Sequence, residues 1–183
     1  EAHLAGCGDC RRAEEELSRY PERCEEALSR LEEVERVAQK FKDAKNVCFL
    51  GRGVDHAAAL EGSLKLKEIA YIPSEGYPAG ELKHGPIALI DGRSLVVAIM
   101  TQRRLAEKTF NAVAEVRARG AKIFLITPFE EYARREGVDD CFLLPKCGEL
   151  FSPVLSVIPL QALAYYTAVA RGNDPDRPRN LAK

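Results

Sequence analysis

The feature that most constrains the fold of this chain is a series of short, continuous apolar runs that begins after Asn46. Four such runs, each bounded by Gly, Asp or Pro, lie at 47–50, 94–100, 122–127 and 141–145. Strands that are buried on both faces of a parallel sheet have this pattern, because helices cover both faces of such a sheet. The runs therefore predict a set of parallel strands.

Stretches with helical spacing of apolar residues separate the predicted strands, at 54–71, 105–119 and 130–135. Strands and helices that take turns form right-handed βαβ units. We therefore expect an α/β fold, a three-layer α/β/α sandwich with a mainly parallel sheet. Ligands of such sheets bind beyond the carboxyl ends of the strands.

An N-terminal helical segment precedes the predicted sandwich. The region 11–45 is rich in Glu, Arg and Lys, with apolar residues at helical spacing, and predicts amphipathic helices interrupted near Pro21. Beyond the last predicted helix, Pro175 and Pro178 exclude a helical tail. The expected division is an N-terminal helical segment over 1–45, the sandwich domain over 46–172 and a C-terminal tail over 173–183.

Composition excludes several classes of protein. With Lys+Arg 27, Asp+Glu 28 and a net charge of -1, the chain has no global positive field to hold a nucleic acid. The first residues contain no apolar stretch of the length that a secretory signal needs. The six cysteines are expected as free thiols of a reducing, cytoplasmic compartment. Cys7 and Cys10 form a C-x-x-C pair without a second ligand pair, so we predict no metal site.

The region 153–170 contains no charged residue and allows two interpretations. Its length barely suffices for a membrane span. Ser156, Pro159 and Gln161 favour instead a helix buried by protein, with part of its surface covered by a partner. We therefore predict no membrane association. Ser152 is a candidate for the N-cap of this helix, and Gly172 suits its end.

Two glycines follow the first predicted strand, in Gly51-Arg52-Gly53. A turn of this kind at the start of a helix can hold an anion on free backbone N–H groups, which makes Gly51 and Gly53 candidate substrate-binding positions. The third glycine of the dinucleotide-binding pattern is missing, so we expect no nucleotide cofactor. The alternative is a tight turn that needs glycine for backbone reasons.

Charged side chains form a stripe on the helix that follows this turn. Glu61, Lys65 and Glu68 lie at i, i+4 and i+7, within about 60° of arc. The stripe is either a surface ladder of salt bridges or one side of a pocket, in which a carboxylate base lies beside an ammonium that stabilises developing negative charge. The arrangement alone leaves both interpretations open.

The next segment, 74–87, contains three glycines and two prolines around Glu81, Lys83 and His84 and predicts a rigid loop. Histidine titrates near neutrality, so His84 could transfer protons. The alternative role is a hydrogen bond to a backbone carbonyl group.

Five motifs in order resemble one family, glucosamine-6-phosphate synthase, the isomerising glutamine–fructose-6-phosphate aminotransferase. The resemblance runs from about the first helix to the last residue and matches the second of the family's two sugar isomerase (SIS) domains. The motifs are LGRG at 50–53, ALEGSLKLKEI at 59–69, AGELKHGP at 79–86, LSVIPLQ at 155–161 and PRNLAK at 178–183.

The resemblance implies conversion of fructose 6-phosphate and glutamine-derived ammonia to glucosamine 6-phosphate without a cofactor. By motif match, Lys183 would form a Schiff base with the open-chain ketose, and Ala182 beside it would contact the substrate. Glu68 would move a proton between C1 and C2. Lys65 would steady charge on the neighbouring oxygen. His84, contributed across a homodimer interface, would help to open the sugar ring.

Glu61 would belong to the same cluster, as a substrate-binding residue. The implied partners are the first SIS domain and a glutaminase domain of the full enzyme. The chain begins with Glu1 rather than with the family's N-terminal catalytic cysteine. The family binds the substrate phosphate with a Ser/Thr-rich loop of its first SIS domain, whereas the corresponding strand end here reads Met100-Thr101-Gln102-Arg103-Arg104.

The resemblance therefore implies an incomplete, inactive half-site in the isolated chain, with Arg103 and Arg104 solvated. The alternatives are a stand-alone SIS module that binds a phosphosugar or mediates dimerisation, and a deglycase that acts on fructosamine phosphates.

Overall fold

The fold is a five-stranded parallel sheet with helices on both faces, as the sequence predicts. The computed structural model describes residues 8–180. The strand order is β2-β1-β3-β4-β5, and all four pairs of neighbours are parallel. The strands are β1 Val47–Gly51, β2 Ser74–Pro78, β3 Leu95–Ile99, β4 Lys122–Thr127 and β5 Asp140–Leu143.

Three helices precede the sheet, and the predicted break near Pro21 lies between the first two. A π-helix, Leu66–Ala70, directly continues α4. The α-helices are α1 Gly8–Ser18, α2 Tyr20–Leu28, α3 Glu32–Phe41, α4 Asp55–Lys65, α5 Ala106–Arg117, α6 Glu130–Ala133, α7 Ser152–Leu155 and α8 Val157–Ala170.

The two faces of the sheet carry separate cores, because consecutive side chains of a strand point to opposite faces. Phe49 belongs to the core that α3, α4 and α8 cover, together with Val37 and Leu163. Leu50 belongs to the core on the opposite face, together with Val113 of α5. All residues of β1 and β3 are buried, which explains their continuous apolar sequence.

The direction of strand addition reverses at β1. From β1 the chain first adds β2 on one side and then crosses to β3 on the other side. The carboxyl ends of β1 and β3 therefore form the switch point at which ligands of open α/β sheets bind.

The uncharged segment is a core helix. Ser152–Ala170 is long and apolar enough to cross a membrane, but 56% of its most apolar window is buried inside the protein, against α3 and α4 among other elements. The interpretation as a buried helix fits this packing. Val154 and Tyr165 stay exposed on this helix, and its cover by a partner stays a prediction.

Two local predictions were wrong. Ser152 does not cap a helix, since α7 begins at this residue and its hydroxyl donates to the carbonyl groups of Cys147 and Gly148. The segment that begins at Ser74 is not loop throughout, since 74–78 forms β2. Among the described residues this edge strand pairs with β1 alone, so a sequence with Glu, Gly and Pro is compatible with it.

Candidate active site

The charged stripe of α4 is a hydrogen-bonded cluster. Lys65 Nζ donates to Glu68 Oε2 at 2.7 Å and lies 3.9 Å from Glu61 Oε1. About one third of each of the three side chains is exposed. The residues form salt bridges, as the first interpretation of the sequence requires, and Glu61 and Glu68 each also line a pocket, although not the same one.

A change of helix type positions Glu68. The chain switches from α-helix to π-helix after Lys65, and Tyr71 ends the helical segment in the left-handed conformation with φ 56°. π-turns are rare and occur frequently at functional sites. Glu68 lies in the π-helix three residues after Lys65, and it contacts Lys65 at the end of α4.

The carboxylates hold Lys65 in its charged form. The hydrogen bond from Lys65 to Glu68, together with the negative charges of Glu68 and Glu61, raises the pKa of the Lys65 ammonium above its ordinary value. A lysine that attacks a carbonyl carbon must be neutral, so Lys65 is suited to stabilise negative charge rather than to act as a nucleophile.

The C-terminal tail folds back onto the end of the π-helix. Asn173 Nδ2 donates to the carbonyl oxygen of Ile69 at 3.2 Å. The backbone N–H of Arg179 donates to the hydroxyl of Tyr71 at 2.9 Å, and the guanidinium lies 4.2 Å from the centre of the tyrosine ring. These contacts tie two points of the tail to the segment that carries Glu68.

A pocket of about 360 Å³ lies between the tail and the π-helix. Glu68 lines it from the helix, and Arg179 and Asn180 line it from the tail. Ala182 and Lys183 lie outside the described residues. The described part of the tail thus lies across the pocket from Glu68, the residue that the motif match assigns as the base.

His84 lies on the surface and, within the described residues, pairs with Glu81, at 3.8 Å from Nε2 to Oε2. About three quarters of the histidine side chain is exposed. The structure therefore unites Glu61, Lys65 and Glu68 in one cluster and does not bring His84 into it.

Gly51 and Gly53 both have backbone reasons to be glycine. A Cβ atom on Gly51 would lie 2.2 Å from the carbonyl oxygen of Asp55, inside the first turn of α4. Gly53 has φ +63°, in the left-handed region. The alternative of a tight turn accounts for both residues, and their role as substrate-binding positions stays a prediction.

A second pocket, of about 590 Å³, opens at the switch point. Its walls are mainly apolar and come from the start of α4 and from α7 and α8, with the polar residues Glu61, Gln102 and Glu149 among them. Arg103 and Arg104 are exposed, as expected. Arg103 forms an ion pair with Glu131, so it is not free to bind an anion there.

Within residues 8–180, no group of three or more His, Cys, Asp or Glu side chains could hold a metal ion. Cys10 lies in α1, and Cys7, the other member of the C-x-x-C pair, lies outside the described residues. Burial raises the pKa of the Cys48 and Cys141 thiols to about 12, so neither is a nucleophile at neutral pH.

Sequence reasoning missed the residues that hold the tail, namely Tyr71, Asn173 and Arg179. An aromatic residue at the end of a helix carries no signal of a left-handed conformation. The only available sign was the pair of tail prolines, which limits the paths that the tail can take.

These features define a sugar isomerase (SIS) domain: a parallel sheet of order 2-1-3-4-5, a Gly-Arg-Gly turn after β1, and charged residues on the helix that follows. The sequence profile of the SIS domain family matches residues 40–171, and the chain belongs to this family.

Relatives with curated names give a more specific likeness. The chain is 47% identical over 169 residues to the glutamine–fructose-6-phosphate aminotransferase (isomerising) of Clostridium tetani, which covers 92% of this chain and 28% of the relative. It is 45% identical to the enzyme of the same name from Gloeobacter violaceus, over 100% of this chain and 30% of the relative. The chain thus spans less than a third of the length of these relatives.

Solved structures agree with this likeness. The C-terminal domain of glucosamine-fructose-6-phosphate aminotransferase from Francisella tularensis superposes with a TM-score of 0.87 at 37% identity. The match covers 92% of this chain and 47% of that one. The tagatose-6-phosphate ketose/aldose isomerase of Escherichia coli shares the fold, with a TM-score of 0.71 at 21% identity.

Proposed function

We propose that this chain is the second SIS domain of the isomerase half of a glucosamine-6-phosphate synthase, which converts fructose 6-phosphate and ammonia to glucosamine 6-phosphate. The observation that carries the proposal is the pocket in which Glu68, hydrogen-bonded to Lys65, faces the described end of the tail. After Asn180 the sequence reads Leu181, Ala182 and Lys183.

The chemistry needs two groups of opposite character in this pocket. A neutral Lys183 amine would attack the keto carbon of open-chain fructose 6-phosphate and form an imine with loss of water. Ammonia would then attack the same carbon and displace the Lys183 amine, which leaves the imine of ammonia at C2. Glu68 would take the proton from C1 of this imine and return one to C2, and C1 becomes the aldehyde carbon of glucosamine 6-phosphate. The charged Lys65 beside it would stabilise negative charge on the neighbouring oxygen.

Other proposed roles lie outside the cluster. The exposed side chain of His84 would reach the sugar from the second subunit of a homodimer. The substrate phosphate would be held by a first SIS domain, and ammonia would come from a glutaminase domain. Free thiols in the described part of the chain fit a cytoplasmic location.

Trapping of the imine tests the proposal. Borohydride would reduce the imine formed with fructose 6-phosphate and label one lysine for mass mapping, both in this chain and in this chain joined to a first SIS domain. We expect the label on Lys183 of the joined protein. Lys67 lines the same pocket and is the competing amine. Lys183→Arg should therefore abolish labelling, and the matched control Lys67→Arg should keep it.

A label on Lys67, or no label in the joined protein, would contradict the proposal. In the joined protein, Glu68→Gln should keep the label on Lys183. It should lower the turnover of fructose 6-phosphate with ammonia by about 10²–10⁴-fold, because it removes the proton-transferring group. Glu22→Gln on α2 is the matched control and should keep full turnover. A binding or dimerisation module predicts instead that Glu68→Gln and Lys183→Ala leave its role intact, and a deglycase predicts turnover of fructosamine phosphates.

A further inference from the structure

A buried carboxylate lies where this fold class binds the anionic groups of its ligands. Asp55, in the first turn of α4, is 1% exposed. It accepts a hydrogen bond of 2.9 Å from the backbone N–H of Thr101 and one of 2.5 Å from the Thr101 hydroxyl. Asp55 follows β1 and Thr101 follows β3, so their hydrogen bonds connect the carboxyl ends of the two strands at the switch point of the sheet.

The hydrogen-bond pattern around Thr101 is that of an ionised carboxylate. Gln102 Nε2 donates to Thr101 Oγ1 at 3.1 Å, which leaves the hydroxyl proton to be donated to Asp55. Burial raises the pKa of Asp55, while the bonds from Thr101 and from the backbone N–H of Gln102 favour the charged form. An acceptor-only group with several N–H and O–H donors has the same hydrogen-bonding character as a phosphate oxygen.

A second carboxylate occupies the next part of the same loop. The backbone N–H of Arg103 donates to Glu149 Oε1 at 2.7 Å, and Gln102 Nε2 also donates to the carbonyl oxygen of Glu149 at 3.1 Å. Successive backbone N–H groups in a loop after a strand are a typical anion-binding arrangement. In this loop the backbone N–H groups donate to carboxylates of the protein, Asp55 and Glu149.

We propose that Asp55 is an internal anion that fills the anion-binding position at the switch point, so that this domain does not bind a phosphate group there. Removal of the Asp55 side chain converts the position into a site for a tetrahedral oxyanion. The adjacent pocket carries Glu61 and Glu149, whose charges further disfavour anions. This inference stands independently of the proposed roles of Glu68 and Lys183.

An NMR titration of the backbone amides with inorganic phosphate tests the inference, at constant pH and ionic strength with chloride as the balancing anion. In the wild-type chain the Thr101 and Gln102 signals should show no saturable shift. Asp55→Ser, which leaves room and a hydroxyl donor, should show a saturable shift. Its half-saturation should lie at least about tenfold below the highest phosphate concentration at which the wild-type signals stay unsaturated, a difference of at least about 1.4 kcal/mol.

Two variants serve as matched controls and should stay at the wild-type level. Asp55→Asn fills the position with a side chain of the same size. Asp91→Ser removes a carboxylate that accepts the backbone N–H of Arg93 in an exposed turn at the other end of the sheet.

A saturable wild-type response at Thr101 would overturn the inference, as would a folded Asp55→Ser chain whose Thr101 and Gln102 signals do not respond. If Asp55→Ser does not fold, the wild-type titration decides alone. Absence of a saturable response then supports the internal anion, and its presence refutes it.

Discussion

The backbone N–H of Arg179 donates a hydrogen bond of 2.9 Å to the hydroxyl of Tyr71, and the Arg179 guanidinium packs on the ring of the same tyrosine. The Tyr71 side chain thus makes two contacts with one residue of the tail, one with its backbone and one with its side chain. Tyr71 directly follows the π-helix, so the contact fixes the path of the tail relative to Glu68.

Tyr71→Phe should loosen the tail while keeping its ring contact. Loss of one hydrogen bond costs about 0.5–1.5 kcal/mol, so the rate of tryptic cleavage after Arg179 should rise roughly 2–12-fold. Mass spectrometry of the released segment 180–183 measures this rate, and Pro178 blocks cleavage after Arg177. Tyr165→Phe, at an exposed tyrosine of α8, is the control. Equal rates in Tyr71→Phe and wild type would show that the hydrogen bond does not hold the tail.

The charged cluster predicts an order of effects on Lys65. The hydrogen bond to Glu68 is the first cause of its raised pKa, and Glu61 contributes at a longer distance. Glu68→Gln should therefore lower the pKa of Lys65 towards its ordinary value of 10.5, and Glu61→Gln should lower it less. NMR titration of the Lys65 side chain measures both shifts. If Glu61→Gln lowers the pKa of Lys65 more than Glu68→Gln does, the hydrogen bond to Glu68 is not the main cause of the raised pKa.

The glycine turn after β1 predicts a ranked series of stabilities. Gly51→Ala should cost at least about 2–3 kcal/mol of unfolding free energy, because the new Cβ would meet backbone atoms that cannot move aside. Gly53→Ala should cost about 1–2 kcal/mol, the penalty of a left-handed conformation.

Gly92→Ala is the control, since its nearest atom lies at 4.0 Å, and it should change stability by less than about 0.5 kcal/mol. Urea unfolding measures the series. If Gly51→Ala unfolds like wild type but loses sugar binding, Gly51 would be a binding residue rather than a tight-turn residue.

The sequence predicted four of the five strands through continuous apolar runs, including the edge strand β5, which overlaps the run at 141–145. The strands β1, β3 and β4 are continuous apolar runs because helices cover both of their faces. Strand β2 was not predicted, because an edge strand with half-exposed residues does not need a continuous apolar run. The π-helix was not predicted either, because its residues have the same spacing of apolar side chains as a continued α-helix.

The candidate site divides in the same way. The grouping of Glu61, Lys65 and Glu68 follows from helical spacing alone and was predictable. The bond between Asp55 and Thr101 joins residues 46 positions apart, and it depends on the order of strands in the sheet. No local pattern encodes such a contact, so only the folded structure reveals it.

The same buried carboxylate predicts a dependence of stability on pH. The pKa of Asp55 lies above its unfolded value of 3.8, because burial opposes the charge and the nearby Glu149 adds repulsion, more than the bonds from Thr101 and Gln102 compensate. The folded state therefore holds the proton more tightly. The stability of wild type relative to Asp55→Asn should fall as pH rises from about 4 through the folded-state pKa, and should level off above it.

Urea unfolding of both proteins from about pH 2 to 8 measures this difference, and each unit between the two pKa values contributes about 1.4 kcal/mol. Asp91 is the control of opposite sign. Its exposed carboxylate accepts the backbone N–H of Arg93, and its pKa is lowered. The Asp91 carboxylate should therefore stabilise wild type relative to Asp91→Asn above pH 3.8, and this advantage should disappear as pH falls through the lowered pKa. A wild-type advantage over Asp55→Asn that grows with rising pH would show that hydrogen bonding outweighs burial at Asp55, so that the folded state releases the proton more readily than the unfolded chain.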